Sequence, residues 1–383
     1  MQKRKNRTIV YIAGFLYSIP IALTSYVNSS FLENFISAKF VGVLYTIASI
    51  VTIIALIKMP KLIPIIGNRK MAMFLSGALT LSLFTMGMSK GILTLLAFIV
   101  SFVISNLLVT SLDIFIEEYS NNKNVGGVRG TYITLMSLAW VISQLVSGSI
   151  INKSSFSGIY TFSAMFMLLT TFIFAFFLHD FKDPTYRKMV LGKTIRVFMK
   201  SPNLYRAYLI NLVLKFFFVW MIIYTPIYLH ENIEFNWSQI GIIFSIMLLP
   251  FILIPFPLGK LSDKIGEKNM LIYGFLIIIA STVIIPFISL SELYIWAIIL
   301  FATRVGAATI EIMNESYFFK LVNEEDADEV AFFRSTQPLS YLVAPLFATL
   351  VLLFIPSFEY IFFVLTAVLL LGLLITLRLR DVR

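Results

Sequence analysis

Apolar runs of about twenty residues recur along this chain, separated by short polar stretches, and a run of that length as a helix crosses the roughly 30 Å hydrocarbon core of a bilayer. Twelve such segments are found, near residues 8–30, 38–58, 70–89, 91–117, 128–151, 157–179, 205–229, 237–258, 269–289, 292–318, 332–354 and 358–379. The pattern predicts an all-α integral membrane protein of twelve transmembrane helices. The opening MQKRKNR leads straight into the first run, which exceeds the apolar core of a secretion signal and lacks a small-residue cleavage site. It is read as a retained first helix.

Composition agrees. The 383 residues are 59% apolar and 13% charged, with 37 phenylalanines, and the mean hydropathy is +0.90, too little polar surface to coat a soluble globule. The net charge of +10 would suit nucleic acid, but the basic residues lie in short clusters between apolar runs, so no nucleic-acid partner is expected. They follow the positive-inside rule instead. With the N-terminus inside, 25 of the 30 lysines and arginines fall in inner segments; only Lys39, Lys90 and Lys153 lie outside, while Lys215 and Arg304 sit within helices. Both termini are therefore expected on the cytoplasmic side of the cell membrane. Cysteine is absent, which excludes disulfides and thiolate chemistry, and the two histidines, His179 and His230, lie at helix ends on opposite sides. Neither an enzyme nor a bound cofactor or metal is expected.

The longest polar connection divides the chain into an N-terminal bundle (1–180), a linker (181–204) and a C-terminal bundle (205–383). Its middle interleaves Arg187, Lys188, Lys193, Arg196 and Lys200 with Val190, Leu191, Ile195, Val197 and Phe198. That pattern suits a short helix lying on anionic headgroups; a solvated linker is the alternative. The two bundles repeat each other. An offset of 198 to 199 residues sets FLENF (31–35) on LHENI (229–233), VGVLYTI (41–47) on IGIIFSI (240–246), and LDIFIEEY (112–119) on IEIMNESY (310–317). Asp113 thereby meets Glu311 and Glu117 meets Glu315; after a longer loop, VRGT (128–131) meets FRST (333–336). Two six-helix units in one orientation form the parallel repeat of a large class of secondary transporters.

Between the eighth and ninth predicted helices the chain reads GKLSDKIGEK. This resembles the major facilitator superfamily signature G-x-L-x-D-[RK]-x-G-[RK]-[RK], matched at Gly259, Leu261, Asp263, Lys264, Gly266 and Lys268, with Glu267 in place of a base. The repeat copy, PKLIPIIGNRK (60–70), keeps Leu62, Gly67, Arg69 and Lys70 but has Pro60, Pro64 and Ile65 where the first glycine, the acid and a base belong. The resemblance extends over the chain through helix count, central loop and repeat. It implies that Asp263 docks near Arg129 at the start of the fifth helix as a cytoplasmic latch. The second latch, near Arg334, is expected to be weak or built differently, since Pro64 lacks the carboxylate and cannot play the acid's part. It also implies that helices 1, 4, 7 and 10 surround a central pathway.

A charge at the centre of a membrane helix costs on the order of 3 kcal/mol, so Lys215 and Arg304, both near the predicted midplane, should face a wet cavity or a partner. Two cations lining an aromatic cavity suit a carboxylate, a phosphate or another anionic amphiphile. The alternative is structural, with both bases paired to Glu311 or to backbone carbonyls. Tyr17, Ser18, Thr24, Asn28, Asn106, Asn211, Trp220 and Tyr224 complete the expected lining. Glu311, seven residues after Arg304 on the same helix face, is the leading proton-coupling candidate, with Asp113 second. Asp113, Glu117, Glu311 and Glu315 are otherwise expected to pair with the gate bases Arg69, Lys70, Lys264 and Lys268. The acidic run 323–329 is read as a solvated loop. Together these features predict a monomeric carrier of a small anionic or zwitterionic solute, working by alternating access and proton coupling. Drug or sugar efflux, or a transporter-like sensor that moves nothing, are the alternatives.

Overall fold

The computed structural model describes residues 2–119, 125–178, 181, 183, 191–322 and 327–380, and every regular element among them is helical. In chain order these are α1 (Gln2–Ser25), α2 (Asn28–Glu33), α3 (Ala38–Ile66), α4 (Asn68–Met88), α5 (Ile92–Glu118), α6 (Val125–Phe176), α7 (Leu191–Lys200) and α8 (Pro202–Ile227). There follow α9 (Trp237–Leu248), α10 (Pro250–Leu253), α11 (Pro255–Ile265), α12 (Glu267–Ile284), α13 (Leu293–Leu321), α14 (Ala327–Arg334), α15 (Thr336–Phe354) and α16 (Ile361–Leu377). Ten stretches among the described residues are long and apolar enough to cross a membrane, and Trp237–Leu253 is a shorter apolar one.

Departures from the expected pattern have local causes. α6 contains one residue outside helical geometry, Ser155 at φ 57°, ψ −169°, between the predicted segments 128–151 and 157–179. The predicted helix 237–258 is instead three pieces, because Pro250 and Pro255 lack the N–H that would continue the ladder and open new helices as first residues. The polar stretches expected as connections are largely helical: α3 runs on to Ile66 and α11 to Ile265. Only one residue then separates each from the next helix, Gly67 (φ 86°, ψ 140°) and Gly266 (φ 86°, ψ 149°). These positive φ values suit glycine, and they fall at one position of the two signature copies.

The chain forms two compact units, Met1–Lys188 with Asn236–Ser245, and Met189–Phe235 with Ile246–Arg383. In the first unit, α1 packs on the early half of α6. There Tyr11 donates to Val128 O (3.2 Å), Ser143 donates to Ile19 O (3.4 Å), and the Gln144 amide reaches Ala22 O. α4 packs on α5 and on the late half of α6, while Tyr45 of α3 meets Phe98 and Phe102 of α5 edge-on. After α6, Phe181 inserts between Phe115 and Tyr119, and Asp183 Oδ1 accepts the Asn68 N–H (2.8 Å), capping the start of α4.

The second unit has the same packing plan: α8 on α15, α12 on α13, and α12 on α16. Asn211 Nδ2 donates to Thr336 Oγ1 (2.8 Å), and Ser340 donates to Leu212 O (3.2 Å). Where α12 crosses α13, Gly274 and Gly306 let the backbones approach. A Cβ on Gly306 would lie 2.7 Å from both Gly274 O and Ile278 N.

Candidate functional site

Two bases of the second unit's membrane helices, Lys215 and Arg304, converge on one phenylalanine. α8 carries Lys215 about 20 Å along its axis, and α13 carries Arg304 about 17 Å along its own, at 1.5 Å per residue. The Lys215 ammonium lies 5.3 Å from the centre of the Phe218 ring and the Arg304 guanidinium 5.7 Å from it; Arg304 also lies 5.2 Å from the Phe217 ring. Aromatic faces are partially negative, so each contact offsets part of the desolvation of the cation. Phe218 in turn packs on Phe251 at 5.9 Å.

The two bases are not equivalent. Lys215 Nζ donates to Glu311 Oε1 at 2.5 Å, and these side chains keep 18% and 27% of their surface exposed. Arg304 is 1% exposed, forms no ion pair among the described residues, and its buried Nη1 has no hydrogen-bond partner. Glu311 lies on the same face of α13 as Arg304, as its spacing predicts, but its bond goes across to α8. The cluster thus holds a closed pair, a shared aromatic ring and a buried guanidinium with donor capacity to spare.

The other expected lining residues are held by neighbouring helices. Asn211 ties α8 to α15 through Thr336. Trp220 and Tyr224 are fully buried in an aromatic run with Phe216 and Phe347, where Tyr224 donates to Pro345 O (3.3 Å) and Trp220 Nε1 has no partner. Tyr17 and Asn106 belong to the first unit. Tyr17 donates to Ser105 O of α5 (2.7 Å), and Asn106 donates back along its own helix to Phe102 O (2.8 Å). In the same unit, Ser18 donates to the Met136 sulfur (2.7 Å), Thr24 to Pro20 O (2.9 Å), and Asn28 Oδ1 accepts from Tyr160 (2.7 Å). Asp113 is half-buried on α5.

At the signature, Gly259 lies within α11, while the side chains of Asp263 and Arg129 lie outside what the structure describes, so the expected latch falls there too. Lys264 is exposed at the last turn of α11. Arg69 takes a different partner from the expected acids. Its guanidinium donates to the carbonyls of Phe174 (3.0 Å) and Ala175, in the last turn of α6. None of Arg69, Lys70, Lys264 and Lys268 forms an ion pair among the described residues, and Glu117 is exposed. Glu315 and Arg334 are exposed and engaged in interactions of their own.

The pair found near the signature is one that sequence reasoning missed. Glu267, the residue standing where a base belongs, is buried at the start of α12. It accepts from Lys320 Nζ (2.5 Å) and Ser316 Oγ (3.2 Å) of α13. The departure from the signature was the available signal, since an acid at a helix N-terminus is favoured there and needs a donor when buried.

The family model of the Major Facilitator Superfamily matches residues 10–329 and, in a second match, residues 238–383. The chain belongs to the Major Facilitator Superfamily. This is a family of transporters, so the protein is a multi-pass membrane protein and a secondary transporter in general terms, and it is no enzyme. The second match of the Major Facilitator Superfamily model lies within the later part of the chain, where the repeat places a second copy of the first half's motifs. A search of curated proteins finds no match to the chain.

Proposed function

We propose that this transporter carries a small organic solute with an anionic group, either an anion or a zwitterion, and that Arg304 holds that group. The observation that carries the reading is the buried guanidinium of Arg304, 1% exposed and without an ion-pair partner among the described residues. An unpaired buried charge is costly, and a carboxylate or phosphate offers a guanidinium two parallel, charge-assisted hydrogen bonds. The aromatic faces of Phe217 and Phe218 beside it suit an apolar body attached to that group.

Glu311 is the proton-coupling residue in this reading. While it is ionised it holds Lys215; once protonated it releases that ammonium to become a second contact for the solute's anionic group. Proton and solute would therefore bind together. Asp113, at the matching position of the first repeat, is the second candidate.

The architecture proposed for transport has twelve crossings. The break at Ser155 divides the span Gly130–Phe176, and Trp237–Leu253 is extended by α11 into a further crossing. The lysine and arginine distribution supports a location in the cell membrane with both termini on its cytoplasmic side. Two six-helix halves then rock about a central site, and the monomer is the working unit.

A thermal-shift panel of anionic, zwitterionic, neutral and cationic metabolites tests the solute class, because a ligand of the folded state raises apparent stability. Anionic or zwitterionic hits that vanish in Arg304→Gln support the reading. Hits confined to neutral or cationic compounds and indifferent to Arg304→Gln overturn it and favour efflux.

A further inference from the structure

The ten-residue helix α7 enters the membrane-spanning part of the second unit almost at once: Lys200 is its last residue, and the span Pro202–Asn232 begins two residues later. One face is committed to protein. Thr194 and Phe198 are buried, and the Phe198 ring meets Tyr208 of α8 (5.8 Å), Phe318 of α13 (6.4 Å) and Phe332 of α14 (4.7 Å). Those partners lie near the ends of three spans, which fixes the depth of α7 at the membrane boundary.

The other face has no protein over it among the described residues. Ile195 and Met199 are 39% and 75% exposed, and Lys193, Arg196 and Lys200 are exposed and form no ion pair among the described residues. At about 100° per residue, Ile195 and Met199 lie about 40° apart, next to the buried face, and the three bases fill an arc of about 60° beyond them. Reading around the helix, the order is protein core, apolar strip, basic strip. A helix at a bilayer surface presents that sequence of chemistries, with the apolar strip at the acyl boundary and the bases among phosphates.

We infer that α7 is a docking site for anionic phospholipid headgroups, and that the occupant is the leaflet surface itself. Charge complementarity commits it to anionic lipid, and the position of Met199 and Ile195 beside the bases commits it to a lipid that brings an acyl boundary with its phosphate. Phe198 makes the contact consequential. It packs on Tyr208, Phe318 and Phe332, and Phe318 stacks on Phe333 at 4.0 Å, so lipid that holds α7 down also holds together the adjoining ends of α8, α13 and α14.

The test uses the full chain in nanodiscs of phosphatidylcholine alone or with about one-third phosphatidylglycerol, reading amide hydrogen exchange over residues 191–200. About 1 kcal/mol per basic residue near an anionic surface converts to about fivefold per charge. Exchange should therefore slow about tenfold or more in the anionic discs, and Lys193→Gln/Arg196→Gln/Lys200→Gln should erase the difference. Salt at about 1 M, where the Debye length is about 3 Å, should remove most of it. The single variant Lys200→Gln, an exposed change, should lose up to about fivefold and serves if the triple variant fails to fold. Equal exchange in the two disc compositions, or a lipid response retained in the variants, overturns the inference. Protection reproduced by inorganic phosphate in phosphatidylcholine discs also overturns it, by showing a soluble-anion site.

Discussion

Removing one member of the Lys215–Glu311 pair should cost far more than removing both. At 2.5 Å between Nζ and Oε1, and with an effective dielectric of about 20, the direct attraction is about 7 kcal/mol. Desolvation of both groups cancels much of this, and the residual exposure of 18% and 27% screens more. A net coupling of about 2–3 kcal/mol remains. Glu311→Gln also leaves two cations around Phe218 without a carboxylate beside them, so this variant should be the least stable of the set. The assay is a double-mutant cycle by equilibrium unfolding in mixed micelles, with Lys215→Gln, Glu311→Gln and the double variant. The coupling term isolates the pair because the double variant lacks both charges. Effects that add to within about 0.5 kcal/mol would falsify the pairing, since groups in contact do not behave as independent sites.

Two packing and capping predictions concern the same unit, with a glycine of the first unit as the control for one of them. Gly306→Ala should destabilise by about 1–3 kcal/mol, because its Cβ meets only backbone and core atoms of α12; Gly77→Ala, with nothing within 4 Å, should be neutral or stabilising in the same unfolding assay. Glu267→Gln should cost about 1–2 kcal/mol by replacing the charged acceptor of Lys320 and Ser316, and loss of local exchange protection at the start of α12 would report it. A stable Glu267→Gln variant with unchanged protection there contradicts the structural role given to that residue.

The membrane helices were legible because the bilayer imposes one rule, a run of apolar residues long enough to cross, and few alternatives satisfy it. The boundaries were less so. Polar composition marked 259–265 as a connection, yet nothing in that stretch forbids a helix, so α11 continues through it until Gly266 turns the chain. Pro250 and Pro255 were visible as breakers, but an apolar run hid the breaks.

At the site, depth was readable and partnership was not. Lys215 and Arg304 stood out as charges far from either end of an apolar run. Periodicity placed Glu311 on the face of Arg304, but periodicity describes one helix at a time and carries no information about the helix across from it. The bond to Lys215 belongs to the packing of α8 on α13, and so does the sharing of Phe218 by the two bases. Asp183 as the cap of α4 and Glu267 as the partner of Lys320 were hidden for the same reason, since each joins elements distant in sequence.

The central claim is that Arg304 binds the anionic group of the transported solute. Solid-supported membrane electrophysiology on proteoliposomes measures it directly, by applying anionic, zwitterionic and neutral solutes to the wild-type protein and to Arg304→Gln and Arg304→Lys. The account predicts net charge movement in the wild type for zwitterionic solutes, which cross as a cation with the accompanying proton, and for anions whose charge one proton does not cancel; this is lost in Arg304→Gln and weakened in Arg304→Lys, which keeps the charge without the bidentate geometry. Signals of equal size in wild type and Arg304→Gln would contradict it.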